Sequence, residues 1–141
     1  MTFQDLGISN QLQYAVDDLG FVNATPIQEQ AFSVVRSGKD VVGIAQTGTG
    51  KTFAYMMPIL QDLRFSKQKH PRVLVLVPTR ELVLQVVEKI QQLSKYINKR
   101  VLGVYGGANI NTQKQSILQG QDIIVATHGR LYDLALSNAL K

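Results

Sequence analysis

Between two apolar runs lie Ala45, Gln46, Thr47, Gly48, Thr49, Gly50, Lys51 and Thr52, residues of the types that build a phosphate cradle. Glycines at 48 and 50 let backbone N–H groups turn inward around an anion. A helix beginning near Lys51 adds the positive end of its dipole. A lysine so placed reaches the β- and γ-phosphates of a nucleoside triphosphate, and the Thr52 hydroxyl is a ligand for Mg²⁺. The five residues Gly48 to Thr52 recur by accident on the order of 10⁻⁶ per position, so a glycine-rich turn that binds nothing is the weaker reading. Ala45 stands where such a cradle usually opens with glycine, and it requires a turn with negative φ there.

The flanking elements must present this loop. The run DVVGIA before it reads as a strand and FAYMMPIL after it as a helix, the context a phosphate loop needs. Upstream, Leu12, Ala15, Val16 and Leu19 recur at helical spacing, with Ser9 as a cap and Gly20 as a stop. A second helix starts with Thr25 as N-cap and Pro26 at the first helical position, and ends at Gly38. From there β-branched runs at Val41–Ala45, Val73–Val77, Val101–Tyr105 and Ile123–Ala126 alternate with helical patterns near 51–64, 79–97, 111–119 and 129–137. The polar, short stretch NTQKQSILQG is the faintest of these patterns, and Pro58 is expected to kink its helix or end it early.

Alternation of strand and helix predicts an α/β fold with a mostly parallel sheet between helical layers. Right-handed crossovers place every strand-to-helix turn at one sheet edge, the edge where open α/β folds bind ligands. The turns AQTGTGK, PTRE, GGAN and THGR are therefore expected together along that edge.

Composition narrows the class. The 141 residues are 45% hydrophobic and 18% charged, with no cysteine, so neither a disulfide framework nor a thiolate metal site is available. No apolar run approaches the roughly 18 residues of a membrane span. The start MTFQDLGISN lacks the basic residue and apolar core of a secretory leader, so the expected location is cytoplasmic. Charge is uneven: residues 1–40 hold five acids and two bases, a net of −3, while residues 41–141 hold 13 bases and five acids, a net of +8. That excess suits either a polyanion-binding surface or a solvated basic face.

The segment GFVNATPIQ, Gly20 to Gln28, resembles the adenine-sensing Q motif of the DEAD-box ATP-dependent RNA helicases. That family also carries an aromatic residue 17 positions before the glycine, and Phe3 occupies that position. The resemblance implies that Phe3 stacks on adenine and Gln28 hydrogen-bonds its edge, with Phe21 and Thr25 completing the nucleotide site. A carboxamide offers the donor and acceptor that adenine requires. The alternative makes Gln28 a solvent-facing helix residue and Phe3 an apolar staple beneath it.

Three more segments match the family in order. Pro78, Thr79, Arg80 and Glu81 open PTRELV, which resembles the family's PTRELA element. Gly106 and Gly107 match its double glycine, and Thr127, Gly129 and Arg130 match its TPGR element. The resemblance implies contacts from these residues to an RNA backbone, without sequence preference. Thr79 and Thr127 at helix N-termini suit phosphate binding on physical grounds as well. Departures from the family pattern are Ala24 for proline, Val83 for alanine and His128 for the proline of TPGR.

The resemblance implies a RecA-like P-loop fold of three layers, incomplete at its carboxyl end, that takes ATP and Mg²⁺. Residues 1–38 form the helical adenine-sensing segment, and residues 39–141 form part of the P-loop domain. Hydrolysis in this chemistry needs a carboxylate at a strand's carboxyl end to hold Mg²⁺. Beyond the cradle only Asp62, Glu81, Glu88, Asp122 and Asp133 are acidic, and none is well placed. Asp122 precedes its strand, and Glu81 is expected to cap or position its turn. The family's Asp-Glu-Ala-Asp and Ser-Ala-Thr segments and its second RecA-like domain, with its arginine fingers, are expected beyond Lys141. The chain is then the amino-terminal part of a helicase that unwinds short RNA duplexes, itself inactive. A non-catalytic nucleotide- or RNA-binding module is the alternative, and another class of P-loop ATPase is disfavoured by GFVNATPIQ.

Overall fold

A computed structural model describes residues 1–46 and 50–137. Its regular elements are a 3-10 turn (Gln4–Leu6), α1 (Asn10–Asp18), α2 (Pro26–Arg36), α3 (Lys51–Asp62), β1 (Val73–Leu76), α4 (Arg80–Leu93), β2 (Val101–Val104), α5 (Ile110–Leu118), β3 (Ile123–Ala126) and α6 (His128–Leu136). The contacts divide the chain into two compact units, Met1–Arg64 with Lys89–Asn98, and Phe65–Glu88 with Lys99–Lys141. The expected segment 1–38 falls wholly in the first, and the expected portion 39–141 is shared between the two.

In the first unit the expected helix boundaries are met by local chemistry. The Ser9 hydroxyl accepts from the Leu12 N–H, and α1 closes at Gly20, whose φ of 77° is open to glycine at no steric cost. Thr25 and Gln28 form a reciprocal capping box at the start of α2, with Pro26 in the first turn. α2 packs on α3, and Phe32, Phe53, Met56, Met57 and Leu60 are all buried. Helix α3 runs a further turn beyond Pro58 to Asp62, so the proline does not end it. Pro58 removes one ladder hydrogen bond, and the burial of its neighbours holds the helix through that loss.

The second unit is a parallel sheet of order β1-β3-β2. β3 pairs with both neighbours in one register, Leu76 and Val104 each lying level with Ala126. As the central strand it is buried along its whole length, the burial that its unbroken apolar run Ile123–Ala126 demands. Val104, Ile117, Ile124, Ala126 and Leu134 form the core, with Leu102, Ile110 and Leu131 packed against it.

The expected strand Val41–Ala45 is corrected. No strand is assigned there, and Val42 and Ile44 are 88% and 90% exposed. Strand propensity acts through packing and pairing with a neighbour, and no described strand pairs with this run. The polar stretch that follows β2 does form its helix, because Asn109 caps α5 by accepting from the Asn111 and Thr112 N–H groups.

Candidate functional site

The first surface belongs to the first unit. A cavity of about 330 Å³ is lined by Phe21, Asn23, Thr25, Gln28, Gly50, Phe53, Lys89 and Gln92. Gln28 forms part of its wall while only 4% exposed, so it is not the solvent-facing residue of the alternative reading. The capping box turns its carboxamide: Oε1 accepts from the Thr25 N–H at 2.9 Å, and Nε2 donates to the Gly50 carbonyl at 3.2 Å. One N–H and one lone pair of the amide are left over.

Gly50 is the N-cap of α3 at φ 81°, and a Cβ there would overlap Gln28 Nε2. Glycine is therefore needed twice, for the left-handed backbone and for the approach of the amide. Beyond it the first-turn N–H groups of α3, Lys51 to Phe53, stand outside the helix's own hydrogen-bond ladder, as at any helix start. Lys51 is exposed and Thr52 half-buried. Tyr55 lies one turn on from Thr52, and burial pushes its phenol up in pKa while Thr52 beside it draws it down. Sequence reasoning passed over Tyr55, although its i, i+3 spacing from Thr52 puts both on one helix face.

The aromatic residues divide differently from expectation. Phe3 is 1% exposed and does not line the cavity. Its N–H donates to the Val22 carbonyl at 3.1 Å, and Thr2 bridges Asn23, so the amino terminus pairs alongside the Gly20–Gln28 segment and its ring is buried. Phe21, 46% exposed, is on the cavity and packs edge-to-face on Phe53 with centroids 5.9 Å apart. Ala45 is half-buried and Gln46 exposed. Thr47, Gly48 and Thr49 lie outside the described residues.

A second surface is built within the other unit. The common register ends all three strands level, which brings Pro78–Glu81, Gly106–Gly107 and Thr127–Arg130 to one edge of the sheet. Backbone bonds carry the register past the strands: the Val77 N–H donates to Ala126 and the Thr127 N–H to Val104. Of the turn AQTGTGK, the described residues Ala45, Gln46, Gly50 and Lys51 belong to no strand of this sheet.

Thr79 Oγ1 accepts from the Leu82 N–H at 3.2 Å, so Thr79 caps α4, the role Glu81 was expected to share. Thr127 is the N-cap of α6 without a side-chain bond, leaving its hydroxyl uncommitted to the helix, and His128 stands at the first helical position. Pro78, Arg80, Glu81, Gly106, Gly107 and Gly129 are exposed. The Arg80 guanidinium lies 4.9 Å from the Tyr105 ring centroid, a cation–π contact that fixes its charge beside Gly107. Arg130 behaves differently. Its side chain is 11% exposed, and Nη1 donates to the Ala108 carbonyl and to Gln113 Oε1.

Asp122 lies at the opposite, amino-terminal edge. Its carboxylate accepts from Arg72, from the Arg100 guanidinium and from the Arg100 N–H at 2.8 Å. Burial opposes its ionisation, but Arg100 and Arg72 outweigh that and hold its pKa at about 2. Asp62 pairs with Arg36. Glu88 is exposed, as is Asp133 on α6. Among the described residues no three acids, histidines or cysteines cluster as a metal site.

Helices around a parallel three-stranded sheet, with polar turns gathered at its carboxyl edge, make an α/β protein consistent with the RecA-like fold. The chain belongs to the DEAD/DEAH box helicase family, whose model matches residues 25–141. It is 44% identical over 133 residues to the ATP-dependent RNA helicase CshA of Limosilactobacillus reuteri, covering 94% of this chain and 27% of that protein. It is 43% identical over 133 residues to the ATP-dependent RNA helicase DeaD of Escherichia coli K12, covering 94% of this chain and 21% of that protein. The crystal structure of a hypothetical ATP-dependent RNA helicase from Sulfolobus tokodaii superposes with a TM-score of 0.85 at 36% identity, over 94% of this chain and 38% of that one. No described helix is long and apolar enough to cross a membrane.

Proposed function

We propose that this chain is the ATP-binding, RNA-backbone-contacting amino-terminal part of an ATP-dependent RNA helicase, and that by itself it binds ATP or ADP without turnover. The observation that carries the reading is the buried Gln28 amide at the cavity wall, bonded to the Gly50 carbonyl at the start of α3. Its remaining N–H and lone pair match the donor and acceptor of the adenine edge. Phe21 supplies the aromatic face in place of Phe3. Residues 1–38 then serve as the adenine-reading segment, and residues 39–141 as the P-loop portion.

The phosphates fall to Ala45–Thr52, with Lys51 supplying positive charge and the first-turn N–H groups of α3 supplying donors. The Thr52 hydroxyl, in the first turn of α3, suits a hard cation such as Mg²⁺, which when bound would neutralise charge on the phosphates. The sheet edge carrying Thr79, Arg80, Gly106, Gly107 and Thr127 meets RNA through sugar and phosphate, so affinity is weak, salt-sensitive and indifferent to sequence. In the parent protein a second RecA-like domain closes on these surfaces and couples ATP use to the unwinding of short duplexes.

Calorimetry tests the nucleotide half: ATP and ADP should bind more tightly than GTP, and equal affinities would remove the reading. Anisotropy with fluorescein-labelled decauridylate and decaadenylate tests the other half. Similar affinities that fall with added salt are expected, and no salt-sensitive binding would remove it.

A further inference from the structure

Gln113, in the first turns of α5, is a polar residue only 7% exposed. Both ends of its amide are engaged across the same loop. Nε2 donates to the Tyr105 carbonyl at 3.2 Å, and Oε1 accepts from Arg130 Nη1 at 3.0 Å. That same Nη1 donates to the Ala108 carbonyl at 3.1 Å. The two carbonyls flank Gly106 and Gly107, so one amide and one guanidinium clip both ends of the double-glycine turn.

The Arg130 side chain is largely buried, 11% exposed. Its Nε is buried with no hydrogen-bond partner among the described residues, and the Asp133 carboxylate lies 3.9 Å away on an exposed side chain. On the outer side of the turn, by contrast, a Cβ built on Gly106 would meet nothing within 4 Å, so the backbone there is open to a ligand. Gly107 adopts φ 85°, a conformation the clip must hold against a chain of two glycines with wide conformational freedom. Nη1 is thus committed to acceptors within the fold, the Ala108 carbonyl and Gln113 Oε1.

We infer that Gln113 is a positioning residue for RNA binding: with Arg130 it holds the turn Tyr105–Ala108 in the shape that meets a sugar–phosphate chain. The inference rests on the RNA-backbone reading above, and it makes Arg130 a strut where sequence alone made it a contact. A strut needs the guanidinium fork, whereas a phosphate contact needs only positive charge.

Anisotropy titrations of the chain with labelled decauridylate, at several salt concentrations, separate the two roles. Gln113→Met keeps the side-chain volume and removes both hydrogen bonds. It is expected to weaken RNA binding about two- to tenfold, the loss of a net hydrogen bond. The slope of log affinity against log salt should not change, because no charge is lost. ADP affinity, read by calorimetry, should also be unchanged and reports that the chain is folded. Arg130→Lys should bind as weakly as Arg130→Ala, and Gln113→Met should add nothing in the Arg130→Ala background. RNA affinity retained in Gln113→Met, or retained in Arg130→Lys, overturns the inference. If Arg80→Ala weakens binding while Gln113→Met does not, the RNA reading stands and the clip falls. Failure of the unmutated chain to bind RNA removes both.

Discussion

Gln28 Nε2 donates to the carbonyl oxygen of Gly50 across 3.2 Å, tying the residue proposed to read a base to the last residue before the α3 N-terminus. The two ends of the proposed nucleotide site are thereby one hydrogen-bonded unit, and a change at either end is felt at the other. Gly50→Ala sets a methyl group against the Gln28 amide on a backbone that alanine disfavours. Stability should fall by about 1–2 kcal/mol in thermal melts, and ADP affinity should fall with it. A Gly50→Ala chain that binds ADP normally would break the proposed link.

Gln28→Ala separates selectivity from simple affinity. It removes the capping-box acceptor for the Thr25 N–H, which costs roughly 1 kcal/mol of stability. It also removes the amide edge offered to adenine, a loss of about 1–3 kcal/mol in ATP binding. Calorimetry should find ATP weakened more than GTP, so that the gap between them narrows. Equal weakening of both nucleotides would mean that Gln28 supports the site without reading the base.

Arg80 is exposed and held over the Tyr105 ring, so its charge is open to a phosphate, whereas Arg130 has an 11% exposed side chain whose Nη1 is bonded inside the fold. Arg80→Ala should weaken binding to decauridylate and decaadenylate alike. The salt slope should drop by about 0.7, the share of one phosphate on a single strand. An unchanged slope would exclude Arg80 as a direct phosphate contact.

Asp122 predicts an acid-labile second unit. Its folded pKa of about 2 lies below the ordinary 3.8, so the ionised form stabilises the fold. That contribution is fully present above about pH 4 and is lost as pH falls toward 2, about 2 kcal/mol in all. Asp122→Ala should cost about 2–4 kcal/mol at neutral pH, because it leaves Arg72 and Arg100 without their shared partner. Urea melts from pH 7 to pH 2 on both chains check this: the variant's stability should depend less on pH, and parallel curves would count against the triad.

Phosphate release from ATP should be essentially absent, and RNA should not stimulate it. Asp122 is committed to two arginines at the amino-terminal edge, and Asp62 to Arg36. In related systems an arginine finger alone contributes about 10³–10⁵ in rate. Steady-state phosphate release with and without RNA, with Lys51→Ala as the control for contaminating activity, is the assay. RNA-stimulated release that disappears in Lys51→Ala would reveal a working carboxylate in this chain, with Glu81 the first to test.

Local rules make much of the chain legible from residue types alone. Ser9, Thr25 with Gln28, and Gly20 set helix boundaries through bonds spanning a few residues, so their residue types suffice. The apolar runs of β1, β2 and β3 and the order of the turns determine a parallel α/β arrangement, because crossovers of one hand leave few alternatives. What depends on a partner distant in sequence is not legible in this way. Val41–Ala45 has the residues of a strand, but a strand exists only when another pairs with it. The sequence leaves Phe3 as either a ring for adenine or an apolar staple, and only the folded chain shows it buried, with its N–H bonded to Val22. The direction of the Arg130 guanidinium and the grip of Gln113 on Tyr105 join residues 17 and eight positions apart, respectively. Sequence alone determined which side chains carry amide, charge or hydroxyl; tertiary structure decided which are spent inside the fold, since a buried polar group must find its hydrogen bonds wherever the packed chain offers them.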